Sequence, residues 1–427
     1  MISIDKLYNF FLKSTGICTD TRTVSKGNLF LCLRGNNFNG NKFAKEALEK
    51  GASFVIVDEK EYQLNDQCII VEDTLRTLQK LAYFHRQKLN IPILGITGTN
   101  GKTTTKELVY AVLSERYSVY ATKSNLNNHI GVPLTLLSID PNDAEIAIVE
   151  MGANHTGEIK ELCQIAQPDY GIITNIGRAH LEGFKTIDGV IQTKKALYDA
   201  VKEKGGTVFV NVDDELLMSL SEGINHITYG KRGDYRGELL PGNLYLTFNL
   251  PDYSMKIQTQ LTGDYNFSNA MAAIAVGLHF NIPIENVKSA LESYKPDNNR
   301  SQIIYKGNKT IIIDAYNANP SSMLAAIENL LRISTLHKAV LLGDMFELGT
   351  ESLAEHQKIV DMLKNSEIKQ VYLLGEIFSK TNADTFWKYT NYNCLANILK
   401  EQLPDEVTIL IKGSRSMKME CFLDVIK

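Results

Sequence analysis

The fold of this 427-residue chain is decided by one stretch, Ile93-Leu94-Gly95-Ile96-Thr97-Gly98-Thr99-Asn100-Gly101-Lys102-Thr103. Its apolar beginning predicts a buried strand, and the residues after it predict a helix, because Leu108, Val109 and Val112 recur at helical spacing. A glycine turn that ends in Gly-Lys-Thr between a strand and a helix is the pattern of a phosphate-binding loop. The stretch therefore predicts an α/β fold with a parallel sheet around a nucleotide site.

The loop is the first candidate site, and we expect it to bind ATP. Successive backbone N–H groups and the helix N-terminus point at anionic oxygens. We expect Lys102 to neutralise the β and γ phosphates and the Thr103 hydroxyl to bind Mg²⁺, which prefers oxygen ligands. The strict pattern has glycine where this chain has Ile96, so the loop is a variant, and a purely structural glycine turn is the alternative. The residues predicted to bind nucleotide here are Gly98, Thr99, Asn100, Gly101, Lys102, Thr103 and Thr104.

Composition narrows the class of protein. The formal net charge is -4, so no overall positive field favours nucleic acid, and we expect small-molecule substrates. The six cysteines contain no C-x-x-C pair, which argues against a zinc site and a disulfide framework and favours the cytoplasm. No window approaches the roughly 18 consecutive apolar residues of a membrane span, and residues 1–12 read as an amphipathic helix instead of a signal peptide. We therefore expect a soluble cytoplasmic protein.

The order of predicted elements divides the chain into three α/β domains: a small N-terminal domain at 1–88, a central parallel-sheet domain with the phosphate loop at 89–296, and a C-terminal Rossmann-like domain at 297–427. Segments 245–249 and 254–261 alternate apolar and polar residues, which predicts antiparallel strands before a helix at 267–279. Buried strands are predicted at 93–97, 145–149, 171–174 and 207–212, and again at 310–313, 338–342, 370–374 and 407–411. Ligands of open parallel sheets bind at the carboxyl ends of strands, so the polar strand ends of the last domain predict a second binding surface.

Several polar residues outside the loop are candidates for chemistry. Glu150 follows a predicted strand and could ligate Mg²⁺, with a solvated strand-end acid as the alternative. His180 lies beyond another strand end, where a structural hydrogen bond is the plainer interpretation. Asn266 and Asn269 precede a helix, which favours capping over recognition of an adenine edge. The turn at 314–320 crowds an acid, a tyrosine and two amides together, and a cap explains only part of that set.

Together these segments resemble the Mur ligases of cell-wall synthesis over nearly the whole chain. Residues 98–103 and Glu150 match motifs common to that family. Segments 175–184, 314–323 and 342–349 are similar to the member that adds D-alanyl-D-alanine. The resemblance implies an ATP- and Mg²⁺-dependent ligase that joins D-alanyl-D-alanine to UDP-N-acetylmuramoyl-tripeptide through an acyl phosphate, completing the peptidoglycan precursor pentapeptide in the cytoplasm, as a monomer.

The resemblance also implies catalytic and metal-binding roles for single residues. Lys102, His180 and Lys194 are the expected catalytic residues. Thr103 and Glu150 are expected to hold one Mg²⁺, and His180 a second. Lys194 matches a lysine that is often carbamylated in the family, a change that gives the side chain two oxygens to support magnesium; a surface lysine is the alternative.

Nucleotide and substrate contacts follow from the same resemblance. Asn269 is expected to contact adenine, and Arg300 and Asp314 to close from the third domain onto the phosphates and ribose. Tyr265 stands where relatives have a histidine, and the first domain has Asn39 and Asn41 in place of an acid and a histidine. The expected substrate-binding residues are Asp20, Thr21 and Arg22 in the first domain, Asn125, Asn127 and Asn128 in the central domain, and Tyr316, Asn317 and Asn319 in the third.

Other functions stay open on sequence alone. Another amide ligase of the superfamily, such as the tripeptide-forming muramoyl ligase or folylpolyglutamate synthase, would have a similar loop, but segments 314–323 and 343–349 argue against it. A nucleotide-binding switch would lack the second binding surface, and a non-catalytic UDP-sugar binder would not need Lys102 or Glu150. The third residue of the tripeptide, diaminopimelate or lysine, is left open.

Overall fold

The first domain is built on a small parallel sheet. The computed structural model describes residues 2–177, 181–383 and 385–426. The strands of this domain are β1 (Ile17–Cys18), β2 (Leu29–Leu31), β3 (Arg34–Gly35), β4 (Phe38–Asn39), β5 (Phe54–Val57) and β6 (Cys68–Ile70), and its helices are α1 (Ile4–Leu12), α2 (Ala44–Glu49) and α3 (Thr74–Arg86). The parallel sheet has the order β1-β2-β5-β6, and β3 pairs with β4 as an antiparallel hairpin. The predicted amphipathic N-terminal helix is present as α1, with Leu7 and Phe11 buried.

Helix α3 joins this domain to the next. Its buried Leu78 and Leu81 belong to the same apolar core as Leu136 and Ile159 of the central domain. The buried Arg86 guanidinium donates hydrogen bonds to the carbonyl of Ala166 at 3.0 Å and the carboxylate of Asp169 at 2.9 Å. Helix α3 is therefore fixed to the central domain by apolar packing in its middle and by the hydrogen bonds of Arg86 at its end.

The central domain carries the predicted parallel sheet. Its strands are β7 (Ile93–Thr97), β8 (Val119–Ala121), β9 (Ile146–Glu150), β10 (Tyr170–Ile173), β11 (Thr207–Asn211), β12 (Asn225–Gly230) and β13 (Tyr235–Arg236), and its first helices are α4 (Lys102–Leu113), α5 (Gly131–Leu137), α6 (Glu158–Ala166), α7 (Leu181–Phe184), α8 (Ile187–Glu203) and α9 (Glu215–Leu220). The order β13-β12-β11-β10-β7-β9-β8 places β7 between β10 and β9. The carboxyl ends of β9 and β10 therefore flank the loop that follows β7, which is where ligands bind in such sheets.

A smaller antiparallel sheet completes the central domain. Its strands are β14 (Glu238–Leu239), β15 (Thr247–Leu250) and β16 (Met255–Gln258), and the helices that follow are α10 (Phe267–His279) and α11 (Ile284–Ser293). The order is β14-β15-β16, with Phe248 paired to Ile257. Both side chains are buried in the same apolar core as α10. The antiparallel strands predicted from alternating polarity are thus confirmed.

The third domain is a mixed sheet covered on both faces. Its strands are β17 (Gln302–Lys306), β18 (Lys309–Ile313), β19 (Lys338–Gly343), β20 (Gln370–Leu374), β21 (Trp387–Tyr389) and β22 (Val407–Lys412), and its helices are α12 (Pro320–Arg332), α13 (Ser352–Lys364), α14 (Glu376–Ser379) and α15 (Tyr392–Gln402). The order is β17-β18-β22-β19-β20-β21. Only β17 is antiparallel to its neighbour among the described strands of this sheet.

The predicted three-domain α/β fold is confirmed, and its long buried strands match closely. Strands β7 and β20 and helix α10 have the predicted bounds. The strands β1, β6, β8 and β13 were not predicted, because two or three residues carry too little periodicity to stand out. The antiparallel β17 was missed because Gln302–Lys306 is only half-buried and has no uniformly apolar run. None of the helices within the described ranges is both long and apolar enough to span a lipid bilayer.

Candidate active site between the central and third domains

The loop after β7 has a backbone that only glycine can supply at two positions. Gly98 has φ +151°, and a Cβ there would lie 1.9 Å from the Thr174 hydroxyl. Gly101 has φ +80°, and a Cβ would lie 2.7 Å from the Asn269 side-chain oxygen. Helix α4 begins at the next residue, so its free N–H groups face the loop. This is the geometry in which backbone amides receive a phosphate group.

Lys102 lies at the centre of this loop. Its ammonium donates hydrogen bonds to the carbonyls of Gly98 at 2.8 Å and Thr99 at 3.1 Å. Burial lowers the pKa of Lys102, the Glu150 carboxylate opposes that shift, and the Arg300 guanidinium adds to it. Two cations therefore face the same cleft, an arrangement that an anionic polyphosphate would stabilise.

Glu150 is the last residue of β9, and its carboxylate is buried. Its Oε1 accepts hydrogen bonds from the Thr103 hydroxyl at 3.2 Å and the Asn127 amide at 2.8 Å. Its Oε2 is buried and has no hydrogen-bond partner within the described part of the chain. Since an orphaned buried carboxylate oxygen is costly, and Thr103 adds a hydroxyl oxygen, this donor set fits a hard divalent cation such as Mg²⁺.

The strand end after β10 braces the loop, a role that the sequence analysis missed. The Asn175 side chain accepts a hydrogen bond from the Asn100 N–H and donates one to the Asn100 carbonyl, both at 2.9 Å. The Thr174 hydroxyl donates to the same carbonyl at 2.6 Å. In the sequence, the only indication of this role is that two polar residues, Thr174 and Asn175, directly follow a buried strand. These contacts rigidify the loop before any ligand arrives.

Lys194 reaches the loop from α8. Its side chain is buried, and its amine donates a hydrogen bond to the Gly98 carbonyl at 2.9 Å. Burial and the neighbouring Lys102 lower the pKa of Lys194 well below its usual value. The adjacent Lys195 instead pairs with Asp199. The surface-lysine alternative for Lys194 is therefore wrong, whereas the prediction for His180 lies outside the described residues.

The amides before α10 do not cap that helix, so the capping interpretation is wrong. Asn266 occupies the N-cap position in a helical conformation and makes no side-chain capping bond. The Asn269 amide donates to the Asn266 side-chain oxygen at 2.8 Å, and its own oxygen accepts from the Thr105 hydroxyl at 3.1 Å. Asn266 in turn donates to the Ser301 hydroxyl at 2.9 Å. Both amides are used to connect α4, α10 and the start of the third domain.

The third domain contributes charged groups from the end of β18. The Asp314 carboxylate accepts a hydrogen bond from the Ser301 N–H at 3.1 Å and forms an ion pair with Lys412. The Arg300 guanidinium carbon lies 3.6 Å from the centre of the Tyr316 ring. These residues face the phosphate loop across the domain boundary.

Helix α12 makes direct contact with the loop. Asn319 is its N-cap and forms a reciprocal capping box with Ser322. The Asn319 amide also donates to the Asn100 side-chain oxygen at 2.8 Å, and the Asn100 amide donates to the Ser321 hydroxyl at 3.0 Å. The Asn317 carbonyl lies 3.4 Å from the Lys412 amine. The third domain is therefore closed against the loop.

Most of the predicted site residues line one cleft of about 730 Å³ between the central and third domains. Its size is in the range of pockets that enclose a small ligand. The predicted residues that line it are Thr99, Asn100, Gly101, Lys102, Thr103, Thr104, Asn125, Asn127, Asn128, Glu150, Asn269, Arg300, Asp314, Tyr316, Asn317 and Asn319. Gly98 of the loop and Lys194, which donates a hydrogen bond to the Gly98 carbonyl, do not line the cleft.

The first-domain candidates do not line this cleft. Asp20 is the N-cap of a short 3₁₀ turn, and the Arg22 guanidinium lowers the pKa of its carboxyl to about 2. Asn39 donates to the Glu59 carboxylate at 3.1 Å, and Asn41 donates to Asp58 at 2.7 Å. In the central domain, Asn128 uses its side-chain oxygen to accept from two N–H groups at the start of α5. These amides and acids form local networks in the structure.

Comparison with known proteins gives matches along the whole chain. Residues 13–96 match the model "Mur ligase family, catalytic domain", residues 96–277 "Mur ligase middle domain", and residues 299–415 "Mur ligase, glutamate ligase domain". The UDP-N-acetylmuramoyl-tripeptide–D-alanyl-D-alanine ligase of Bacillus subtilis is 35% identical over 95% of this chain and 91% of its own length.

Solved structures agree with these matches. A crystal structure of MurF from Acinetobacter baumannii superposes with a TM-score of 0.87 at 28% identity, over 99% of this chain and 98% of that one. MurF ligase from Thermotoga maritima, solved in complex with ADP, has a TM-score of 0.87 at 28% identity, over 97% of each chain.

Proposed function

The chain belongs to the Mur ligase family, and from this premise we propose that it joins D-alanyl-D-alanine to UDP-N-acetylmuramoyl-tripeptide in an ATP-dependent reaction. The observation that carries the proposal is the closed cleft, in which a phosphate loop and Glu150 face Arg300, Asp314 and Tyr316 of the third domain. Full-length relatives that carry this activity in their names, and an ADP complex of one of them, support it.

The reaction needs ATP because a carboxylate is a poor acyl donor. A terminal carboxylate oxygen of the tripeptide attacks the γ-phosphorus of ATP. The bond between the γ-phosphorus and the oxygen that bridges it to the β-phosphate breaks, so that ADP departs and the tripeptide carries an acyl phosphate. The amine of D-alanyl-D-alanine then attacks the carbonyl carbon, loses a proton and expels inorganic phosphate. We propose that Lys102 and the loop N–H groups stabilise the negative charge on the phosphoryl group during its transfer.

We assign adenine contact to Asn269 and phosphate and ribose contacts to Arg300 and Asp314. Support comes from their positions around one cleft, with Asn269 beside Gly101 of the loop and Arg300 and Asp314 across the cleft from it. The contact between α12 and Asn100 keeps the third domain against the loop, which excludes water from an acyl phosphate that water would otherwise hydrolyse.

We propose that Thr103 and Glu150 hold Mg²⁺ beside the phosphates. The unpartnered Glu150 oxygen is the supporting observation. When bound, the ion neutralises phosphate charge and orients the β and γ phosphates. We further propose that Lys194 is carbamylated, which its burial and its lowered pKa favour. The second Mg²⁺ at His180 stays a prediction.

The remaining assignments are proposals of the same kind. Asp20, Thr21 and Arg22 would bind the UDP part of the substrate, and Asn125, Asn127 and Asn128 its tripeptide side. We keep the division into 1–88, 89–296 and 297–427, and we propose a cytoplasmic monomer that acts in peptidoglycan synthesis, and so in cell shape and division. The water-soluble nucleotide substrate and the six unpaired cysteines support that location.

Phosphate release tests the function. The purified protein is incubated with ATP, Mg²⁺, D-alanyl-D-alanine and UDP-N-acetylmuramoyl-tripeptide, in separate reactions for the lysine and diaminopimelate forms. We expect release that requires both substrates, and a product whose mass shows one new amide. Glutamate as the acceptor is the control for another ligase of the superfamily. Release with glutamate alone would reject the proposal, as would nucleotide binding without any amide product, the result expected of a switch.

A further inference from the structure

We propose that Tyr316 is a positioning residue that holds the Arg300 guanidinium toward the phosphates, an assignment that rests on the function proposed above. The guanidinium carbon lies 3.6 Å from the centre of the Tyr316 ring. That distance is well inside the roughly 6 Å within which a cation is attracted to an aromatic face. Arg300 is thus stacked on the ring, and Tyr316 has a role distinct from the substrate contact predicted for it.

Arg300 needs such support because its other contacts are poor. Its Nε is buried and has no hydrogen-bond partner within the described residues. Its charge also acts on Lys102, whose pKa it lowers. A long, flexible cation next to a second cation would turn away from it unless another group held it in place. The Tyr316 ring supplies that hold.

The ring itself is fixed from several sides. The Tyr316 N–H donates to the Asn299 carbonyl at 3.2 Å. A second guanidinium, from Arg415, lies 5.4 Å from the ring centre and is paired with Glu420 at 3.1 Å. The Tyr316 hydroxyl, in contrast, forms no hydrogen bond with any described residue. The structure therefore assigns the function to the aromatic face and not to the hydroxyl.

This distinction selects the variants. Tyr316→Phe keeps the face and removes the hydroxyl, whereas Tyr316→Leu removes the face at similar bulk. Arg300→Ala removes the cation, and the double variant Tyr316→Leu/Arg300→Ala closes a mutant cycle. Tyr305→Leu is the matched control, because Tyr305 is an exposed aromatic of the same domain that does not line the cleft.

The readout is binding of ADP and of a non-hydrolysable ATP analogue by calorimetry, followed by KM for ATP and kcat. We expect Tyr305→Leu to match the unmodified protein, and Tyr316→Phe, which keeps the aromatic face, to lose much less affinity for the analogue than Tyr316→Leu. Tyr316→Leu should weaken binding of the analogue by about five- to thirty-fold and binding of ADP much less, if the phosphate that Arg300 contacts is the γ-phosphate, as we propose. The double variant should bind the analogue no more weakly than Arg300→Ala. Binding requires no acceptor, so this test stands even if no amide is made and the proposed function fails.

Four results would overturn the assignment: an unchanged affinity in Tyr316→Leu, an equal loss in Tyr316→Phe, an equal loss for ADP, or losses that multiply in the double variant. An equal loss in Tyr316→Phe would point to a direct contact of the hydroxyl with the ligand. Multiplying losses would mean that Tyr316 acts independently of Arg300.

Discussion

The side-chain amide of Asn319 lies 2.8 Å from the side-chain oxygen of Asn100, so the N-cap of α12 is hydrogen-bonded to the phosphate loop. The hydroxyl of Ser321, two residues further on in the first turn of α12, accepts a hydrogen bond from the side-chain NH₂ of the same Asn100 at 3.0 Å. Because Asn319 and Ser321 belong to the third domain and Asn100 to the central one, domain closure and loop conformation are linked through these contacts.

Two variants separate capping from closure. Asn319→Ala removes the cap and the Asn100 contact, so we expect a loss of about 1 kcal/mol in the free energy of unfolding together with a raised KM for ATP. Ser321→Ala keeps the capping box of Asn319 with Ser322 and loses the hydrogen bonds of the Ser321 hydroxyl with Asn100 and with the Asn319 side-chain oxygen, so KM should rise by about two- to tenfold with a smaller loss of stability than in Asn319→Ala. An unchanged KM in Ser321→Ala would show that closure does not depend on this contact.

Lys102→Ala should abolish turnover while leaving the fold intact. The ammonium contacts only two loop carbonyls of the described residues, Gly98 and Thr99, and it is the group assigned to the moving phosphoryl charge. Removing one such donor typically lowers kcat by about 10²- to 10³-fold. Phosphate release measures the loss, and circular dichroism during thermal unfolding serves as the fold control. Retained activity would remove Lys102 from the mechanism.

Glu150→Gln tests the magnesium site by a readout that does not depend on turnover. The amide keeps an acceptor for Thr103 and Asn127 but removes the negative charge. We expect Mg²⁺ to strengthen ADP binding in the unmodified protein and not in the variant. Each tenfold loss of ADP affinity lowers the stabilisation that ADP gives to the folded protein by about 1.4 kcal/mol. Thermal shift with ADP, with and without Mg²⁺, gives the measurement. An equal Mg²⁺ effect in both proteins contradicts the assignment.

Lys194 and Lys195 form a matched pair for the carbamylation proposal. Lys194 is buried against the loop, and Lys195 pairs with Asp199 on the same helix. Lys194→Ala should lower kcat by about 10- to 100-fold, the usual cost of losing a group that supports a metal site, and added acetate should restore part of it by supplying a carboxylate. Lys195→Ala should change little. Equal effects of the two variants, or no response to acetate, would contradict the proposal.

His356 should make stability depend on pH. Burial lowers its pKa in the folded protein, although Ser352, Asp344 and Glu355 partly oppose that shift. Its Nε2 accepts a hydrogen bond from the Met345 N–H at 2.9 Å, so the folded state needs the neutral ring. The unfolded chain binds a proton near pH 6.5, so it takes up more protons there than the folded chain. The contribution of His356 to the free energy of unfolding is therefore fully present above about pH 6.5 and is lost as the pH falls toward the pKa of the folded protein.

The contribution of His356 to that slope is at most about 1.4 kcal/mol per pH unit. His356→Gln keeps an acceptor for the Met345 N–H and cannot titrate. Urea unfolding at pH 7.5 and 5.5 should show a smaller pH effect in the variant than in the unmodified protein. The same loss of stability in both proteins would exclude His356 as the source.

Sequence alone determined the fold class, the phosphate loop and the strand ends that carry charge, because buried strands and glycine turns are local patterns. Lys102, Thr103 and Glu150 could be found in this way, since each follows directly from a strand or helix boundary. The resemblance of longer segments supplied the family and the reaction.

Only the tertiary structure decided which side chains act on one another. The brace from Asn175 to the loop, the link from Asn269 through Asn266 to Ser301, and the stacking of Arg300 on Tyr316 join residues that are distant in sequence or in different elements. Capping was the reasonable interpretation of Asn266 from local sequence, but its side chain instead donates hydrogen bonds to the Thr262 carbonyl and the Ser301 hydroxyl. Local patterns report backbone conformation, whereas hydrogen-bond partners depend on how the sheets and helices pack, and that packing is set by the whole chain.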